Sequence, residues 1–223
     1  MKRAKQTSES IELGIILALS GGFMDAYSYL VRGHVFANAQ TGNMLLFGVN
    51  LASGQFQNAL HYLCPVLAFG FGIFLAEFIH FQKIQKVHWR QLILIVEIII
   101  LFSVAFISFE QNLLANSLTS FACGMQVQAF RKIHGKGYAT TMCIGNLRTG
   151  THELCNFLCT KEVQHLQSGL LYYLIILAFI LGAILGNFCI QSFSLKAIWI
   201  SVALLIVAFV LMFIDREKDE AFQ

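Results

Sequence analysis

Ala37-Asn38-Ala39-Gln40-Thr41-Gly42-Asn43 is a short polar run between two apolar segments. The chain around it makes it conspicuous. Its 223 residues are 57% hydrophobic and only 12% charged, with mean hydropathy +0.68. A soluble domain carries about 25% charged residues. So apolar a chain would expose large greasy patches in water, which points to a membrane protein. The run also has a twin. Ala139-Thr140-Thr141-Met142-Cys143-Ile144-Gly145-Asn146 places Asn146 103 residues after Asn43 (146 − 43). Both stretches read as non-ideal backbone lining a polar site inside the membrane.

Charge and cysteine usage exclude other classes. The net charge is +3, and the basic residues cluster between apolar runs. That is topology marking, not a nucleic-acid surface. Cys64, Cys123, Cys143, Cys155, Cys159 and Cys189 lack secreted-domain spacing and read as reduced thiols. Lys2, Arg3 and Lys5 precede an apolar run, as in a signal peptide. The run continues through Tyr29 without a small-x-small site, so an uncleaved first span is expected.

A helix needs about 20 residues to cross a hydrocarbon core of about 30 Å. Runs of that order fall at 11–31, 59–81 and 92–109, then again at 113–130, 169–190 and 197–214. The two glycine-asparagine elements occupy 34–51 and 138–158. The series therefore divides into repeats at 1–110 and 111–223. Gly21, Asp25, Ala26, Gly42 and Asn43 stand opposite Gly124, Gln128, Ala129, Gly145 and Asn146 at one offset of 103 (124 − 21 and 146 − 43). The stretch from Leu67 to Glu77 stands opposite Leu177 to Asn187 at an offset of 110 (177 − 67).

Lys and Arg prefer cytoplasmic loops. If each element dips in and returns, Lys2, Arg3, Lys5, Lys83, Lys86, Arg90, Arg131, Lys132, Lys136, Lys161, Arg216 and Lys218 share the cytoplasmic side. Arg32 and Lys196 are left outside. The expected fold is an all-α integral membrane protein with six transmembrane helices. These form two inverted three-span repeats, each with a re-entrant or broken Gly-Asn element, and both termini are cytoplasmic.

The segments Gly21-Gly22-Phe23-Met24-Asp25-Ala26, Gln40-Thr41-Gly42-Asn43, Gly124-Met125-Gln126-Val127-Gln128-Ala129 and Gly145-Asn146 resemble the YoaK-like family of bacterial membrane proteins. The likeness covers nearly the whole chain. It implies a bacterial cytoplasmic-membrane protein of six spans, with small-molecule export suggested for some members. The family pattern is Thr-Gly-Asn in both elements, whereas this chain has Ile144-Gly145-Asn146 in the second. A site using the threonine hydroxyl would be weakened there.

Asp25 lies 14 residues into a helix starting at Ile11, or about 20 Å along its axis. A carboxylate at that depth is paired, protonated or functional. It either exchanges a proton or shapes the neighbouring backbone. Asn38, Gln40, Thr41, Gly42 and Asn43 form the wall of the first element. Gln128, Thr140, Thr141, Gly145, Asn146 and Arg148 do the same for the second. Arg148 either binds an anion or snorkels to the interface. Glu77 and Glu97 read as lying towards the cytoplasmic ends of their spans. His152, Cys155 and Cys159 share a helical face and are weak metal candidates. No phosphate-loop or nucleophile-elbow motif occurs, so neither an ATPase nor an enzyme is expected, and no cofactor is implied. The expected function is small-molecule secondary transport, either proton-coupled or facilitative. The expected partners are the lipid bilayer, an unidentified solute and a second copy in a homo-oligomer, with no nucleic acid. The alternatives are a non-transporting scaffold and, third, an intramembrane metal protein.

Overall fold

A computed structural model describes residues 10–82, 89–133, 136–138, 140–141 and 143–212. Lys2, Arg3, Lys5, Lys83, Lys86, Ala139, Met142 and the charged tail from Asp215 to Glu220 lie outside the described residues. The first helix starts where its chemistry allows. The Ser10 hydroxyl accepts the Leu13 N–H at 3.2 Å, an N-cap that satisfies one of the free amides of the opening turn. Helix α1 then runs from Ile11 to Val31. It is followed by α2 (Gln40–Ala52), α3 (Phe56–Phe81), α4 (Trp89–Val104) and α5 (Asn112–Ala129). A ribbon of β1 (Lys132–Ile133) and β2 (Lys136–Gly137) leads to α6 (Cys143–Thr160), α7 (Val163–Phe193) and α8 (Ile198–Leu211).

Three stretches among the described residues are long and apolar enough to cross a membrane: Ile11–Val31, Phe56–Phe81 and Val163–Leu211. The third is not one rod. Ser194 takes φ 48°, and a 3-10 turn at Ser194–Ala197 separates α7 from α8. Helix α5 falls outside this set because it lies within the bundle. Its buried residues include Asn116, Thr119, Ser120 and Gln126, so it has little need of an apolar surface. Meanwhile Phe71, Phe74 and Phe78 on α3, and Leu177, Ile184 and Phe188 on α7, point outward. Polar residues inside and large apolar ones outside reverse the soluble pattern. The chain is an all-helical membrane protein.

Two close helix pairs make the frame. A Cβ on Gly22 would collide with the Phe179 carbonyl, and one on Gly182 with the Leu19 carbonyl. The same contact recurs between α3 and α5, where Gly72 faces the Phe121 carbonyl and Gly124 faces that of Phe69. Backbones this close need glycine at the crossing. The small-residue faces at Gly72 and Gly182 are therefore spent inside the chain, not between copies. Contact equivalence pairs Gly124 with Gly22 and Phe121 with Leu19, an offset of 102 (124 − 22 and 121 − 19). That is one residue short of the offset expected for Gly21, and it sets Asp25 opposite Val127 rather than Gln128.

Helix directions follow from these contacts. Leu19 meets Gly182 and Ala26 meets Gly186, so α1 and α7 run parallel. Ser20 touches Ser201 at 2.5 Å while the Tyr27 hydroxyl donates to the Leu195 carbonyl at 3.0 Å, so α8 runs back against α1. One end of the bundle collects the ends of α1, α4 and α7 and the starts of α3, α5 and α8.

Arg32 ties that end together. It is fully buried. Its guanidinium donates to the carbonyls of Val104 (2.8 Å), Ile107 (2.9 Å) and Ser108 (3.3 Å), to Asn112 Oδ1 (3.2 Å) and to the Tyr27 hydroxyl (3.0 Å). These carbonyls lie at and just beyond the C-terminus of α4, where the helix dipole favours a cation. Asn116 in turn donates to the Arg32 carbonyl at 2.7 Å.

Arg32→Ala strands several buried acceptors and should cost about 3–5 kcal/mol. Gly182→Ala forces α7 off α1 and should cost about 1–3 kcal/mol. Gly70, on the same kind of helix but with nothing within 4 Å of its missing Cβ, should gain up to about 1 kcal/mol as alanine. Thermal unfolding in detergent measures all three. Equal midpoints for Gly182→Ala and Gly70→Ala would remove the close-packing account.

Candidate functional site

The middle of α1 is Gly21, and both glycine-asparagine elements reach it. In the first, the chain leaves α1 at Arg32 and runs without helix through residues 33–39 before α2 begins. This backbone has no strand beside it, so its peptide groups need side-chain partners. Asn43, one turn into α2, supplies two. Its Oδ1 accepts the Phe36 N–H at 3.0 Å and its Nδ2 donates to the Phe36 carbonyl at 2.8 Å. Gln40 Nε2 donates to the Ala37 carbonyl at 2.8 Å and to Ser120 Oγ at 3.3 Å, while its Oε1 accepts from Asn43 at 2.8 Å. Only an amide both donates and accepts in this way. Gly42 is required because the Phe36 ring occupies the place of a Cβ. Thr41 faces outward.

Asp25 completes the element. Its Oδ1 accepts the Asn38 N–H at 2.6 Å, and the amides of Ala37 and Ala39 lie close to the carboxyl. Asn38 Nδ2 reaches the Gly21 carbonyl at 3.1 Å. The carboxyl thus caps the start of α2 from a neighbouring helix. This contact fits the backbone-shaping role among the two its position allowed.

The second element approaches Gly21 from the other side. The Thr141 side chain packs where a Gly21 Cβ would be, and Cys143 lies within electrostatic reach of Asp25. Thr140, Thr141 and Asn146 are buried. Gly145 differs from Gly42, for nothing lies within 4 Å of its missing Cβ. It borders an open groove of about 650 Å³ with Ile144, Leu147, Arg148, Thr151, His152 and Cys155. Arg148 is exposed there, away from the buried threonines.

Other expected residues disperse. Gln128 donates to Glu77 at the far end of α5 and lines a cleft of about 320 Å³ with His80, Trp89, Arg90, Arg131 and Lys132. No cluster of three metal-ligating side chains occurs among the described residues. His152 bonds to Asn156 at 3.2 Å, and Glu153 pairs with His165 at 2.6 Å, so His152, Cys155 and Cys159 do not assemble with it.

The structure adds residues that the sequence reading missed or misplaced. Glu97 is central in α4 and fully buried, not at the end of its helix. Among the described residues, several buried side-chain oxygens have no hydrogen-bond partner in the protein: Ser28 Oγ, Asn38 Oδ1, both Glu97 oxygens, Asn116 Oδ1, Gln126 Oε1, the Tyr138 hydroxyl, Thr140 Oγ1 and Thr141 Oγ1. Ser28 is on α1 itself, and neighbours place three of the others beside that helix. Asn116 bonds to Arg32, Thr141 packs on Gly21 and Gln126 Nε2 donates to the Leu17 carbonyl. From Leu17 to Arg32 is about 22 Å of helix. Asparagine, glutamine and serine on α1 and α5 were the available signal, since they recur on the faces those helices bury.

The comparisons bear on this arrangement as a whole. No solved structure matches the chain. The UPF0700 transmembrane protein YoaK of Bacillus subtilis (strain 168) is 26% identical over 199 residues, 85% of this chain and 88% of that protein. The family model described as "Protein of unknown function (DUF1275)" matches residues 13–211, a span that includes both glycine-asparagine elements, the four crossing glycines and Arg32, and the chain belongs to that family.

Proposed function

We propose that this protein is a small-molecule secondary transporter of a bacterial inner membrane, with six spans and both termini in the cytoplasm. Helices α1, α3, α4, α5, α7 and α8 are the spans, and α2 and α6 are re-entrant. The halves are inverted repeats. The support is the alternation of helix directions together with the glycine contact made twice at offsets of 102 (124 − 22) and 110 (182 − 72). An odd number of spans per half reverses the second half. Broken backbone from opposite faces then meets at mid-depth, where only protein or a wet cavity tolerates it.

One observation carries transport over mere structure: the partnerless buried oxygens along α1. Buried polar groups are nearly always bonded to protein or water. A file of them over most of a hydrocarbon thickness marks a path for water or a polar solute. Clefts at the two ends give it mouths: one of about 380 Å³ lined by Asn50, Gln57, Asn58, His61 and Tyr62, and the basic one beside Arg131. A non-transporting scaffold draws on a different observation. The polar groups of the first element are largely taken up by its own backbone. The path is therefore assigned to the second element and the α5 face.

Single cysteines at Ser28, Asn116 and Gln126 in a cysteine-free background test this. A charged thiol reagent should modify them in intact membranes, and protection of all three would leave the scaffold. Cysteines at Gln82 and Glu110 should react from opposite sides, and labelling of both from one side would defeat the six-span arrangement. A solute screen in reconstituted vesicles then decides transport itself. Asp25→Ala, which leaves the Asn38 amide unpaired, should cost about 1–3 kcal/mol, whereas Asp25→Asn keeps an acceptor and should unfold near the wild-type temperature.

A further inference from the structure

We propose that Glu97 is a proton-binding site of this protein and that it, rather than Asp25, carries the exchangeable proton. The second clause rests on the transport reading; the first does not.

Glu97 is the ninth of the sixteen residues of α4 and has no exposed surface. Neither of its oxygens has a hydrogen-bond partner among the described residues. Its surroundings are specific. From α5, the Cys123 thiol lies within electrostatic reach of Glu97, and the same thiol lies within reach of Asp25 on α1. From α8, nothing ionisable faces it, because Ile198–Leu211 contains no such residue. On α3, Glu77 is bonded to Gln128 and paired with His80 at 3.8 Å, both near the far end of that helix. The guanidinium of Arg32 is engaged by carbonyls, Asn112 and Tyr27. Arg90 precedes Glu97 by two turns, about 10 Å along the axis.

An ionised carboxylate with neither donor nor counter-charge is not sustained at such a depth. Glu97 therefore holds its proton in this conformation. Asp25 is the opposite case. The Asn38 amide donates to its carboxyl and engages it as the cap of α2, so its oxygens have a bonding role in the fold that those of Glu97 lack. The Cys123 thiol lies within electrostatic reach of both carboxyls. Release of the Glu97 proton then needs a rearrangement that brings water or a donor to α4. Gln126 and Asn116, with partnerless oxygens on α5, are on the helix that packs against it.

The test uses the full chain in detergent and needs no solute. An apolar carbodiimide reacts with protonated carboxyl groups inside membranes, and peptide mass spectrometry locates the adduct. The expected result is an adduct on Glu97 and none on Asp25. Infrared spectroscopy should show a carboxylic-acid carbonyl band at neutral pH that disappears in Glu97→Gln and persists in Asp25→Asn. Glu97→Gln replaces a neutral acid with a neutral amide of the same shape and should unfold within a few degrees of the wild type. Should it not fold, adduct mapping on the wild-type chain decides the question alone. An adduct on Asp25 in place of Glu97, or a band unchanged in Glu97→Gln, overturns the proposal. A solute screen that finds no uptake would count against transport while leaving the Glu97 result standing.

Discussion

A peptide group in hydrocarbon has no water to bond with, and this constraint organises the molecule. Helices meet it by themselves. Residues 33–39 cannot, because they are neither helix nor strand. Their amides and carbonyls are met instead by Asn43, Gln40 and Asp25. The polar residues of the quoted run are therefore the bonding complement of a broken backbone, supplied by the chain one turn later. Asp25 serves the same end from a neighbouring helix. A leucine at Asn43 would lack the donor and the acceptor that one amide offers to the N–H and the carbonyl of Phe36.

This is also why the two elements are not equivalent despite their matching letters. Gly42 lies under the Phe36 ring, whereas Gly145 has open space around it. Gln40 has Cys143 at its place in the second element, and a thiol cannot bridge two backbone groups as an amide does. The second element keeps Thr140 and Thr141 buried with partnerless hydroxyls. In the first element Asn43 and Gln40 are taken up by backbone and only Asn38 Oδ1 is left over, whereas the second keeps two hydroxyls in reserve. The missing threonine of the second Gly-Asn motif does not empty that element of hydroxyls, since Thr141 already stands against α1.

Sequence reasoning reached some of this and missed the rest for definable reasons. Membrane class was legible because composition leaves no other solvent. The limits of α1 were legible because the apolar run begins at Ile11 and stops before Arg32. The pairing of α1 with α5 was off by one residue. Gly21 and Gly22 look alike in a sequence, and only the carbonyl each faces distinguishes them. Glu97 was placed near a helix end because Arg90 and Gln91 read as a loop, whereas α4 already includes Trp89. The 113–130 segment was legible as a helix, but Asn116, Thr119, Ser120 and Gln126 on its buried face do not stand out by spacing, because a helix packed among other helices carries polar residues without a motif.

Arg32 bears on how charge should be read in such a chain. The rule that places basic residues in the cytoplasm concerns charges in solvated loops near helix ends. Arg32 is not solvated. Its charge is distributed over carbonyls at the end of α4, Asn112 and Tyr27. It belongs to the interior and carries no information about sides. Once it is set aside, Lys196 alone opposes the proposed orientation among the described residues, against Arg90, Arg131, Lys132 and Lys161 at the other end. Lys196 itself lies over the Trp199 ring, 5.9 Å from its centroid, where an indole shares its charge at the interface. The exceptions to the charge rule are thus the two cations whose charge the fold already accommodates, so the asymmetry is stronger than a count of residues suggests.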